Sequence, residues 1–181
     1  MFKLNKRPKK KVTVVHLGNV DTYGSLKPVV KTEKYAQRFP EVNFIGIDRL
    51  PIKPTHSNWV QLRGDFHDEL MKLENNSVDI ISSELALGYY SRHSDPWQGD
   101  YKNHTKTVIS QAHQKLKTGG RIYIAVGPDI IDNVVDSLKK IGFNKIKVEK
   151  LRSKAKERTH YIQIFQSNAT FGPVYQISAV K

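Results

Sequence analysis

Residues 11–48, KVTVVHLGNVDTYGSLKPVVKTEKYAQRFPEVNFIGID, decide how the rest of the chain is read. Val12, Val14, Val15 and Leu17 make a near-continuous apolar run, which predicts a first strand over Val12–Leu17 covered on both faces, as central parallel strands are. Gly18 ends that strand. The turn GNVDTYGS follows, with Gly24 for tight geometry and Asn19, Asp21 and Ser25 as turn formers. Pro28 and Pro40 bound a helix over Val29–Phe39, and NFIGI (Asn43–Ile47) is a second strand closed by Asp48. A strand, a glycine turn, a helix and a second strand ending in an acid form the unit with which doubly wound sheets hold a nucleoside. The backbone comes close at the turn, and the acid takes the ribose hydroxyls.

The remaining chain adds further units of the same kind. RLPIKPTHS is broken by Pro51 and Pro54 and reads as a loop; WVQL is a third strand running into Arg63-Gly64-Asp65-Phe66, a second carboxylate at a strand's carboxyl edge. A helix over Asp68–Leu73 leads to strand four, VDIIS, which closes on Ser82-Ser83-Glu84. Ligands of open α/β sheets sit outside the carboxyl ends of the strands, so Gly18, Asp48, Asp65 and Glu84 are expected around one crevice. The loop from Leu85 to Tyr101 holds Tyr89, Tyr90, His93 and Trp97, which either contact a substrate over that crevice or pack on the sheet edge.

A helix over Asn103–Lys117, with Val108, Ile109, Ala112 and Leu116 at core spacing, is expected to stop at Gly119-Gly120. Strand five, RIYIAV, follows, then a helix opened by Gly127-Pro128-Asp129 and stopped by Gly142. Strand six (Lys145–Leu151) and strand seven, YIQIF, are joined by the short basic loop SKAKERT and are therefore antiparallel. The fold class is thus α/β, a doubly wound seven-stranded sheet, mostly parallel with an antiparallel C-terminal hairpin. Residues 1–11 form a basic arm, 12–166 the domain, and 167–181 a tail or an edge strand.

Composition narrows the function classes. Thirty Lys and Arg against seventeen Asp and Glu leave a net charge of +13. The excess is concentrated: residues 1–11 hold six basic groups and no acid, and residues 139–158 hold nine against Glu149 and Glu157. Clustered positive charge attracts polyanions through counterion release, so RNA is the expected partner; a solubilising surface is the plain alternative. There is no cysteine, hence no disulfide and no thiolate metal site, and no apolar run approaches the roughly 20 residues of a membrane span. MFKLNKRPKKK lacks the apolar core of a secretory signal, and a cytoplasmic location is expected.

The alternation of strands and helices, the closing hairpin and LKTGG before strand five resemble the class I methyltransferases that use S-adenosylmethionine, a Rossmann-like fold. KVTVVHLG, DRLPI, VQLRGDFHDEL and SKAKERTHYI are most similar, within that superfamily, to segments of the FtsJ-like RNA ribose methyltransferases. The resemblance implies S-adenosylmethionine as cofactor. Asp48 would bind the ribose diol with Arg49 beside it, Asp65 would accept from the adenine amino group with Phe66 against the ring, and Gly18 with Asn19 would border the methionine portion. His16 stands where the superfamily usually has an acid, a place Asp21 is positioned to fill. The family's Lys, Asp, Lys, Glu tetrad falls on Lys9, Glu84, Ala125 and Thr159, so only its first member is kept. A ribose hydroxyl is a very weak acid that needs such a Lys. Its loss leaves two readings: an enzyme in which Glu84, Ser83 and Lys9 serve another acceptor, or a catalytically inactive relative acting as an RNA-binding or assembly module. His93, His104, Asp95 and Asp100 fit no metal signature, so no metal is expected. The missing glycine fingerprint argues against a nicotinamide dehydrogenase, and the missing G-x-S-x-G against a hydrolase.

Overall fold

A computed structural model describes residues 11–18, 20–21, 29–84, 86–87, 101–151 and 174–181. Strand β1 (Thr13–Leu17) is followed by the two-residue strands β2 (Val20–Asp21) and β3 (Val29–Val30), which pair antiparallel as a small separate ladder. Helix α1 (Lys31–Arg38), strand β4 (Asn43–Asp48), strand β5 (Trp59–Arg63), helix α2 (Phe66–Met71) and strand β6 (Val78–Glu84) come next. Helix α3 (Tyr101–Lys115), strand β7 (Leu116–Val126), a 3-10 turn at Pro128–Ile130, helix α4 (Ile131–Ile141), strand β8 (Asn144–Lys150) and strand β9 (Tyr175–Val180) complete it. One sheet has the order β5-β4-β1-β6-β7-β9-β8. Its first five strands are parallel, and β9 runs antiparallel to both neighbours.

The two faces of the sheet are chemically distinct because side chains alternate along each strand. Val15, Leu17, Ile47, Ile81, Ile122, Ile124 and Ile177 point to one face and build the main core with Leu70, Val108, Ile109, Val134 and Leu138 of α2, α3 and α4. Val14, Phe44 and Trp59 point to the other and bury Ala36 of α1. Gly142 ends α4 in the left-handed region at φ 102°, its amide and that of Phe143 returning to Lys139 and Leu138, as a glycine helix stop requires.

Four elements differ from expectation. Val29 and Val30 belong to β3, so α1 is shorter than the proline-bounded segment. The helix before β7 stops at Lys115, and Gly119-Gly120 lie within β7, where they permit a bulge. Between Val78 and Ile80 β6 advances two residues while β7 advances from Leu116 to Arg121. Gly119, at φ 78°, turns that bulge. The expected strand seven, YIQIF, lies outside the described residues. The antiparallel partner of β8 is Tyr175–Val180, and the edge strand expected within 167–181 is an inner strand between β7 and β8. Its buried Ile177 and Ala179 make that inner place favourable.

A single side chain ties the return from α1 to β5. Asn58 Nδ2 lies 3.1 Å from the carbonyl oxygens of Ala36 and Phe39 and 2.9 Å from that of Val42, donating along the turn that leads from α1 to β4. Asn58→Ala removes this donor and should cost about 1–3 kcal/mol, read as a fall of several degrees in the thermal midpoint with the circular dichroism spectrum unchanged.

Candidate functional site

Four parallel strands in the order β5-β4-β1-β6 deliver their carboxyl ends to one rim of the sheet. Gly18 lies there beside β4, its amide donating to Ile47 O at 2.9 Å. Asp48 lies beside the end of β5, because Gly64 N donates to Asp48 O at 3.1 Å and Arg63 Nε to Arg49 O at 3.2 Å. Gly18, Asp48 and Asp65 are therefore neighbours, as the crevice expected from sequence requires. Gly18 has φ 71°, a region that suits glycine, and a Cβ on it would fall 2.4 Å from the Ala86 Cβ and 3.6 Å from the Phe66 ring. The bare Cα is what lets the end of β1, the start of α2 and the chain after β6 meet.

Asp65 is the most heavily used group at the rim. It caps α2, Oδ1 accepting from His67 N at 3.0 Å. His104, from the first turn of α3, approaches the same oxygen at 3.3 Å, and Arg49 Nη2 donates to Oδ2 at 3.2 Å. The hydrogen bond from His104 foremost, with the His67 amide and Arg49 assisting against the opposing effect of burial, holds the Asp65 carboxyl down at about 2. Asp48 is held differently, Oδ1 accepting from Leu50 N at 3.0 Å in a short local turn. Phe66 is buried in the main core beneath the rim. Arg49 bridges the loops that carry the two acids.

Other expected site residues are placed elsewhere. Ser83, expected next to Glu84 as an acceptor-orienting group, is 2% exposed. Alternation turns it with Ile81 toward the helix layer, and its Oγ has no hydrogen-bond partner among the described residues. It is an interior group and not one presented to an acceptor. Glu84 ends β6 at the rim, in register with Ala125 of β7. His16 faces away from the crevice, under α1, with Nδ1 3.0 Å from the buried Thr32 Oγ1 and its ring against Tyr35 and Phe44. The backbone of Asp21 is paired with Val29 in the small ladder that replaces a glycine-rich turn. Lys9, Asn19, Tyr89, Tyr90, His93, Trp97 and Thr159 lie outside the described residues. Among the described residues no cluster of His, Cys, Asp or Glu is suited to a metal, and no helix is long and apolar enough to cross a membrane.

Sequence reading missed His104 as a partner of Asp65 and Ala86 as the residue against Gly18. His104 drew notice only for its nearness in sequence to His93, and nothing local in the chain signals a contact made 39 residues away.

No protein-family model matches the chain, and no curated protein matches it. Solved structures do. A SAM-dependent methyltransferase from Archaeoglobus fulgidus superposes with a TM-score of 0.58 at 17% identity, over 96% of this chain and 87% of that one. A precorrin-6y C5,15-methyltransferase from Geobacter metallireducens gives 0.60 at 15%, over 93% and 79%. Phosphoethanolamine N-methyltransferase 2 from Haemonchus contortus, in complex with S-adenosyl-L-methionine, gives 0.63 at 16%, over 97% of this chain and 50% of that enzyme. The fold is the one these methyltransferases share. The likeness is one of fold throughout, and it does not single out the FtsJ-like branch.

The electrostatics of this rim give a direct test. Removing the imidazole in His104→Ala should raise the Asp65 carboxyl from about 2 toward its ordinary 3.8, read from its carboxyl carbon shift in an NMR titration. Because the folded value is depressed, the stability that Asp65 contributes is complete above about pH 4 and disappears as pH falls through about 2. In the variant the gap between the folded and unfolded values narrows, so stability should be lower above about pH 4 and should fall less between pH 4 and 2, seen as a shallower acid limb in a stability profile.

Proposed function

We propose that this protein is an S-adenosylmethionine-dependent methyltransferase acting on RNA. The observation that carries the reading is the junction at the sheet rim of glycine 18, with its left-handed backbone and bare Cα, and the carboxylates of Asp48 and Asp65. The methyltransferase fold supports it, and the positive charge supports RNA.

The residues present fit the cofactor in donor chemistry. Asp48, with one oxygen anchored by the Leu50 amide, is a fixed acceptor for a ribose diol. Asp65, kept ionised down to about 2, is an acceptor for an adenine amino group and at the same time pins the loop carrying Arg49. Gly18 gives the backbone approach that the methionine portion needs. The cofactor supplies a methyl group already activated on a sulfonium, so the chain's task is to orient the acceptor in line and exclude water.

The acceptor side differs from that of a ribose methyltransferase. Ala125 is set in register beside Glu84, and an alanine does not assist removal of a hydroxyl proton. Glu84 at the strand terminus is suited to orient, through a hydrogen bond, a group that is already nucleophilic. A ring or exocyclic nitrogen of a base is such a group, and Tyr89 and Tyr90 are suited to stack on that base. Lys9, in the arm, adds positive charge toward the RNA.

Calorimetric titration with S-adenosylmethionine tests the reading. The wild-type chain should bind with measurable heat. Asp48→Ala should weaken binding by about 10-fold to 100-fold, the usual loss of a hydrogen bond to a charged group. Absence of heat at millimolar cofactor in a folded wild-type protein would leave a methyltransferase-like module without the activity.

A further inference from the structure

Inner strands of a doubly wound sheet present apolar rows for helices to cover. Here β1, β4 and β5 do so under α1, through Val14, Phe44 and Trp59. On the same face β7 and β9 do not. Ile122, Ile124, Ile177 and Ala179 are turned into the core, so the alternate positions Arg121, Tyr123 and Ala125 of β7, and Gln176, Ser178 and Val180 of β9, lie on the face that α1 shares. Register extends these rows across the strands: Ser82, Tyr123, Ser178 and Lys147 make one, and Ile80, Arg121, Val180 and Asn144 the next.

We propose that this polar sheet face is a binding platform for single-stranded RNA, separate from the crevice at the strand carboxyl ends. Strands lie about 4.8 Å apart, so Lys147 lies roughly 10 Å across the sheet from Tyr123, beyond Ser178, and Arg121 lies two residues from Tyr123 on the same strand. Lys145 precedes Lys147 on the edge strand. Lys139 and Lys140 end α4 in the helix layer on the opposite face and lie outside this platform. Arg121, Lys145 and Lys147 are exposed, and the acid nearest them in register is Glu149, one pair along β8 from Lys147.

Part of this cluster has a local explanation. Lysines blunt an edge strand against aggregation. That does not explain Arg121 and Tyr123, with Arg121 Nη1 3.5 Å from Tyr123 Oη, on an inner strand. An aromatic ring beside cations on a sheet, with Ser82, Ser178 and Gln176 as hydrogen-bonding neighbours, is the arrangement on which bases stack while phosphates are neutralised. A tyrosine also suits a lipid headgroup layer, so vesicles are set against the RNA in the test. The platform rests on the RNA part of the proposed function and is independent of methyl transfer.

The full chain titrated with a fluorescein-labelled single-stranded 20-mer RNA, by anisotropy from 50 to 200 mM KCl, tests it. Arg121→Glu with Lys147→Glu should weaken binding at least tenfold and reduce the salt slope by about 0.7 for each phosphate that is no longer neutralised. Tyr123→Ala should weaken it severalfold, while Tyr123→Phe should not. Cofactor binding, measured in parallel, should stay at the wild-type value in all of these and reports that they fold. Should the double charge variant misfold, Arg121→Gln with Lys147→Gln takes its place, with the same expectations. Unchanged affinity and slope in a folded charge variant, or no effect of Tyr123→Ala, overturns the platform. So does retention of phosphatidylserine vesicles in preference to the RNA. Absence of cofactor binding in the wild-type chain with RNA binding intact overturns the enzyme reading alone; cofactor binding without RNA binding overturns the platform and RNA as the substrate, and leaves methyl transfer to another acceptor.

Discussion

Parallel pairing of four strands is the constraint from which the rest of this structure follows. β5, β4, β1 and β6 are held in register by backbone bonds and by a core of Leu17, Ile47, Ile81 and their helix partners. Once they run the same way, residues far apart in sequence and alike only in following a strand are forced to one rim. Gly18, Asp48 and Asp65 meet there because three strands end together, and no contact between their side chains is needed to bring them in. The side-chain contacts that do form, from Arg49 and His104 to Asp65, then fix how that rim is finished.

That division explains what was legible in the sequence. Apolar runs such as VTVVHL, FIGI and VDII, separated by proline, glycine and amphipathic segments, mark the parallel strands almost by themselves, since burial on both faces leaves few alternatives. The acids at strand ends were readable for the same reason. Where two local signals competed, tertiary pairing decided. Gly119-Gly120 looked like a helix stop and instead turn a bulge inside β7, since the carbonyls that a stop would satisfy are met by the ladder and by Lys181. The partner of β8 was not legible, because YIQIF and YQISAV both alternate. Only the inner place between β7 and β8, which selects for buried Ile177 and Ala179, distinguishes the second.

The site was less legible than the fold for a physical reason. Sequence reports which residue follows a strand, but not which face a side chain takes when two successive positions are polar. Ser82 and Ser83 are indistinguishable as text, yet alternation buries the second and turns the first toward the open face. His16 likewise reads as a replaced acid at a cofactor turn. In the fold it is a packing residue, with Thr32, Tyr35 and Phe44 around it and Gly46 in register beside it.

The charge distribution follows from the same topology. Parallel strands separate the two ends of the sheet, so the acids that follow strands gather at one rim while the cations at the end of α4 and the start of β8 lie toward the other. Arg121 and Lys147 are further set on the face opposite the main core. A single crevice bearing both the acids and the cations would lose much of its attraction for a polyanion, since opposite charges a few ångströms apart cancel beyond a Debye length of about 8–10 Å. Keeping them apart allows one molecule to offer carboxylates to a nucleoside at one place and cations to phosphates at another. In the proposed arrangement an RNA would be held by the sheet face, and only its reactive base would have to reach the rim.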